Sequence, residues 1–145
     1  MSGVTNGMGY VVEASTLGGG VSEVRTRRSV LRFDSSPRQG EELPGPADLL
    51  TAAFAACVLK NVERMAEMLP FRFETARVEV RSERQDRPPK MVRIVYELTV
   101  VTDEEPRRVE LLHDNVRRHG TIFNTLAAVC EVTGQIHAVA PTPAE

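Results

Sequence analysis

The sequence has no tryptophan, two tyrosines, five phenylalanines and only two cysteines in 145 residues. Two cysteines cannot hold a chain of this size in a disulfide framework, so the fold must rest on an ordinary apolar core. Long hydrophobic runs are also missing. The longest, over 49–59, is interrupted by Thr51 and stopped by Lys60, well short of the roughly 20 apolar residues of a membrane span. Residues 1–6 have neither a cationic start nor an apolar stretch, which predicts a cytoplasmic protein whose thiols stay reduced. Neither sign of charge dominates. With 18 Lys and Arg against 20 Asp and Glu, the net charge is −2, which argues against a nucleic-acid or membrane partner.

The usual signatures of cofactor and metal chemistry are absent too. Gly18-Gly19-Gly20 lacks the following lysine of a phosphate loop and the spacing of a dinucleotide fingerprint. His113, His119 and His137 stand at no metal-ligand spacing with one another or with either cysteine. No Gly-x-Ser-x-Gly elbow occurs. The expectation is therefore of no cofactor and no metal. Arg25, Arg27, Arg28 and Arg32 form a basic stretch, but on one strand Arg27 and Arg28 would point to opposite faces. With few aromatics nearby, the stretch reads as a solvated face rather than an RNA-stacking surface.

What is present reads as a single α+β domain over 1–140, with a mobile tail over 141–145. A strand is expected over 9–14, a glycine turn at 17–20 and one or two strands over 21–33, followed by a polar loop over 34–45. Gly45-Pro46-Ala47-Asp48 opens a helix, with proline in the first turn and an acid near the positive end of the dipole. From 49 to 59 that helix is apolar almost all round, which predicts burial on every side. From 60 to 68 it turns amphipathic, and Pro70 ends it. Alternating residues over 71–83 and 91–101 predict an antiparallel hairpin. Helices over 104–119 and 121–129 and a last strand over 131–139 complete the chain, with Val109, Leu112 and Val116 on the inward face of the first of these helices.

Cys57 lies in the long helix, and Lys60, Asn61 and Arg64 share its face at three, four and seven residues on. Phe54, Ala53 and Leu50 share it on the other side. The thiol therefore stands where an apolar face becomes cationic. A nearby cation favours the reactive thiolate and burial opposes it, so a nucleophile and a small core residue are both open readings. Cys130, just before the last strand, reads as a packing residue.

The segment Gly45-Pro46-Ala47-Asp48-Leu49-Leu50-Thr51-Ala52-Ala53-Phe54-Ala55-Ala56-Cys57 resembles the OsmC/Ohr family of hydroperoxide reductases. Members open this helix with an Asn-Pro-Glu-Glu/Gln-Leu-Leu-like segment and reach the peroxide-attacking cysteine at the same distance. The stretch from His119 through Gly120 to Leu126, followed by Glu131-Val132, is similar to the family's later Cys-Pro-x-x-x-x-Leu segment and closing strand. The resemblance implies antiparallel sheets wrapped around a long central helix, in an intertwined homodimer with active sites at the interface. It implies organic hydroperoxide as substrate, a thiolate at Cys57 that becomes a sulfenic acid, and an external thiol reductant.

Three members of the family's machinery differ here. Its resolving cysteine aligns with Gly120, and Cys130 lies ten residues later. Its helix-start glutamate aligns with Ala47, and Asp48 is turned by about 100° around the helix. Its arginine falls near Gly20, upstream of Arg25, Arg27 and Arg28. Lys60, Arg64 and Asp48 are the candidates for electrostatic support of Cys57 in their place. Two functions follow: a one-cysteine peroxidase resolved by an external thiol, or an inactive module binding a small apolar ligand at the dimer interface.

Overall fold

The computed structural model describes residues 7–38 and 40–143. Residues 1–6, read above for a signal segment, and the last two residues of the tail lie outside that range. The chain divides into two compact units, Met1–Leu49 and Leu50–Glu145, with the boundary inside the long helix.

The first unit holds an antiparallel meander of β1 (Glu13–Gly18), β2 (Val21–Thr26) and β3 (Ser29–Asp34), with β2 in the middle. Between β1 and β2 the chain passes through Gly18, Gly19 and Gly20 at φ 98°, 63° and 80°, a left-handed path that glycine takes without a steric penalty. The expected first strand is shifted four residues towards the C-terminus. Of the one or two strands expected over 21–33 the structure has two, and the placing of Arg27 and Arg28 on opposite faces of one strand is corrected. Arg27 and Arg28 form the turn between β2 and β3, with Arg27 at φ 54°, so they do not alternate across a sheet face. Arg25 pairs with Glu23 at 3.0 Å. After β3, Asp34 organises the loop by accepting hydrogen bonds from Ser36 N (2.8 Å), Ser36 Oγ (2.6 Å) and Gly40 N (2.8 Å). These donors hold its carboxyl below the ordinary carboxylate range, the Ser36 hydroxyl foremost.

Helix α1 runs over Pro46–Met68, the span that the proline, the acid and the terminal Pro70 predict. The second unit contains most of α1, then β4 (Thr75–Asp86), β5 (Pro89–Val101), α2 (Pro106–His119), α3 (Thr121–Ala127) and β6 (Glu131–Val139). Strand β5 is central, antiparallel to β4 and parallel to β6. A parallel neighbour demands a crossover, and α2 and α3 supply it. Along β5 the alternation is clean: Ile94, Tyr96, Leu98 and Val100 are buried, while Arg93, Val95 and Glu97 are exposed. The exposed face carries charges paired across strands, Arg93 with Glu83 (3.0 Å) and Glu131 (3.6 Å), and His137 with Glu97.

The buried sheet face meets Phe54, Val58, Val62 and Met65 of α1, Val109, Leu112 and Val116 of α2, and Phe123 and Leu126 of α3 in one core. Helices gathered on one face of a sheet make this an α+β fold. The expectation that α1 is buried on every side is corrected. Leu50, Ala52 and Ala56 are exposed in the single chain, because a three-stranded sheet covers only one flank of a helix that is apolar on both.

Candidate active site

Cys57 sits in the middle of α1 and is 8% exposed. Three side-chain positions define its surroundings. One turn earlier on α1, Phe54 is fully buried, with its ring 5.2 Å from that of Phe123 on α3 and 5.8 Å from that of Tyr96 on β5. One turn later, Asn61 is buried, and its Nδ2 donates to the Cys57 carbonyl at 2.8 Å and to Sγ at 3.6 Å. Across from α1, Gly120 links α2 to α3. Its φ and ψ of −76° and 119° are open to any residue, so space is what the position requires. A Cβ there would lie 2.9 Å from Phe123 Cβ, 3.0 Å from Cys57 Sγ and 3.4 Å from Asn61 Nδ2.

Behind the thiol the aromatic cluster continues. Tyr96 packs edge-on against Phe123 and His113, and Tyr96 Oη lies 2.6 Å from His113 Nε2. Burial pushes the Tyr96 phenol up to about 12. Burial, and then the Arg117 guanidinium, pulls His113 below the usual imidazole range. A neutral imidazole accepting from a neutral phenol satisfies both groups without placing a charge in the core. Room for the Tyr96 ring comes from Gly134, its register partner on β6, where a Cβ would come within 2.2 Å of the ring.

The other candidates occupy different places. Lys60 and Arg64 are exposed on α1, and the polar group set against the sulfur is Asn61. Asp48 Oδ2 accepts from Gly45 N at 3.0 Å while Leu49 N donates to Gly45 O, so the carboxylate caps its own helix. Cys130 is a second buried free thiol, and its Sγ donates to Met91 O at 3.4 Å. His113, His119 and His137 form no metal-binding cluster among the described residues. Helical spacing alone places Asn61 on the cysteine's face but gives it no role. The aromatic cluster carries no sequence signal, since it joins α1, β5, α2 and α3 through tertiary packing.

The site is thus a buried helix cysteine, faced by the α2–α3 junction and backed by aromatics over a β-sheet. The family model described as OsmC-like protein matches residues 39–134, and the chain belongs to that family. Among solved structures, it is similar to an OsmC-like protein of Mycoplasma pneumoniae at 17% identity and a TM-score of 0.82, covering 91% of this chain and 98% of the other. An organic hydroperoxide resistance protein OsmC of Legionella pneumophila aligns at 18% identity and a TM-score of 0.71, covering 88% and 97%. The organic hydroperoxide resistance protein OhrB of Bacillus subtilis aligns at 16% identity and a TM-score of 0.65, covering 88% and 98%. A comparison with curated proteins finds no match. No helix among the described residues is long and apolar enough to cross a membrane.

Proposed function

We propose that the protein is a one-cysteine thiol peroxidase that reduces organic hydroperoxides, with Cys57 as the attacking group. The observation that carries this reading is the Gly120–Cys57 contact. The position aligned with the family's resolving cysteine stands directly against the thiol, 3.0 Å from Sγ to a Cβ built there, and it holds a residue without a side chain. The attacking sulfur therefore keeps its place and gives up its internal partner. Thiolate attack on the distal peroxide oxygen forms an S–O bond, breaks the O–O bond and releases alkoxide, which takes a proton to leave as the alcohol. An external thiol then condenses with the Cys57 sulfenic acid, expelling water and forming a mixed disulfide. A second thiol molecule frees Cys57 and carries away the oxidising equivalents as a disulfide. Phe54 and Phe123, buried in the same core cluster as Cys57, give the sulfur apolar surroundings that suit an alkyl or aryl peroxide.

The chain acts as a homodimer and as one OsmC-like domain over 1–140. The family match at 39–134 spans both compact units. Leu17, Val30 and Leu31 of the first sheet and Leu111 and Val129 of the second unit are exposed, apolar side chains that a second copy of the chain would cover. Sedimentation at micromolar concentration tests the dimer, and a monomer overturns it.

The enzymatic reading is tested by the loss of an alkyl hydroperoxide with a small monothiol as reductant, together with a search for the mixed disulfide on Cys57. Turnover no faster than the thiol alone achieves overturns it. The low exposure of Cys57 and the surrounding rings support the second reading, an apolar-ligand module. In that case a small apolar ligand protects Cys57 from alkylation and no peroxide is consumed.

A further inference from the structure

We propose that Asn61 is the positioning residue of the thiol site, donating a hydrogen bond to the Cys57 sulfur and so stabilising negative charge on it. The inference rests on the reading of Cys57 as an attacking thiolate and names the group that serves it. Asn61 follows Cys57 by one turn of α1, on the same face. It is 7% exposed, within a stripe otherwise made of Phe54, Val58, Val62 and Met65. Asparagine is a poor choice in the middle of a helix, and valine or leucine would extend that apolar stripe. A polar side chain at this depth needs polar partners, and the structure gives Nδ2 two of them.

The first is the Cys57 carbonyl at 2.8 Å, and the second is Cys57 Sγ at 3.6 Å. A side-chain amide has two N–H groups. The bond to the carbonyl fixes the rotamer, and the fixed rotamer brings the second N–H to the sulfur. The interaction favours the charged forms, because a thiolate or a sulfenate oxygen is a far better acceptor than a neutral thiol. Gly120 sets no side chain against the sulfur, and Nδ2 lies 3.4 Å from where its Cβ would be. A neutral amide also suits a site this buried, where an unpaired lysine or arginine would bear a large desolvation cost. Lys60 and Arg64, the nearest cations on the same helix, are turned to solvent.

The test compares wild type with Asn61→Val, which removes the donor and leaves a small apolar side chain, and with Asn61→Asp, which keeps the shape and presents an acceptor. Both are first checked for folding by their thermal transitions. The alkylation rate of Cys57 is then followed against pH in a Cys130→Ser background, with no peroxide present. Asn61→Val is expected to move the profile to higher pH and to slow alkylation at neutral pH by about tenfold, as loss of a hydrogen bond to a charged group implies. Asn61→Asp moves it further. An unchanged profile in a folded Asn61→Val or Asn61→Asp protein overturns the inference. The peroxidase reading is judged separately, from the wild-type rate with hydroperoxide. If that rate is no faster than a free thiol's while the profile still shifts in both variants, peroxidase activity is rejected and Asn61 keeps its role.

Discussion

Gly120 stands against Cys57 so closely that a Cβ added to it would lie 3.0 Å from the sulfur. In a disulfide, each Cβ is about 3 Å from the far sulfur, given an S–S length near 2.05 Å and ordinary angles. The glycine thus occupies a position from which a cysteine could close a bond to Cys57 with little backbone movement. Gly120→Cys should form an internal disulfide with Cys57 on treatment with one equivalent of hydroperoxide, read as the loss of two free thiols without dimer-linked mass. Phe123 Cβ, at 2.9 Å, must yield by a few tenths of an ångström. Failure to form the bond in a folded variant would mean that the two positions are not a resolving pair.

Much of this was legible from residue types. Proline and an acid at the start of α1, alternation along β5 and the 109–112–116 face of α2 each reflect a local rule that tertiary packing reinforces. The misreadings have physical causes. The β2–β3 turn is built from Arg27 and Arg28 without glycine or asparagine, so no turn residue marks it, although Arg27 adopts φ 54°. Helix α1 is apolar on two sides, and composition cannot say which side its own sheet covers. At the site, helical spacing brings Cys57 and Asn61 together, whereas Gly120 and Phe123 arrive from more than sixty residues away in sequence. Spacing treats Lys60, Asn61 and Arg64 alike, and only the packed structure separates the buried amide from the exposed cations.

Gly134→Ala should destabilise the protein by about 1–3 kcal/mol, the range for forcing a methyl into a filled core. The new Cβ would come within 2.2 Å of the Tyr96 ring, and Phe54, Phe123 and His113 pack round that ring. Chemical denaturation measures the change. A neutral substitution would show that the ring has room to move.

The Tyr96–His113 pair should make stability depend on pH. The folded protein holds His113 below its ordinary value of 6.5, through burial first and Arg117 second. The unfolded chain therefore binds the proton more readily. The stabilisation is complete above about 6.5 and is lost as pH falls through the lowered folded value. His113→Asn should flatten that acid-side slope relative to wild type in denaturant titrations between pH 7 and 5. An unchanged slope would place the pH dependence elsewhere.

Asp34 should control the order of the loop that follows β3. Its carboxylate accepts from Ser36 N, Ser36 Oγ and Gly40 N, and these bonds lower its ionisation below 3.8. The contribution is present above that value and disappears as pH falls through the lowered one. Asp34→Ala should speed amide hydrogen exchange at Ser36 and Gly40 at neutral pH while leaving β5 protected. Equal exchange in the two proteins would show that the backbone alone holds the loop.

The central claim, that Cys57 is a peroxidatic thiol without an internal resolver, is tested most directly by rapid mixing. Fully reduced protein meets an alkyl hydroperoxide, and a sulfenic-acid trap is read by mass spectrometry in wild type, Cys57→Ser and Cys130→Ser. The account predicts fast, saturable trapping on Cys57, lost only in Cys57→Ser, with no disulfide to Cys130. Oxidation of Cys57 no faster than that of a free small thiol would contradict it, and attention would turn to apolar ligands of the same site.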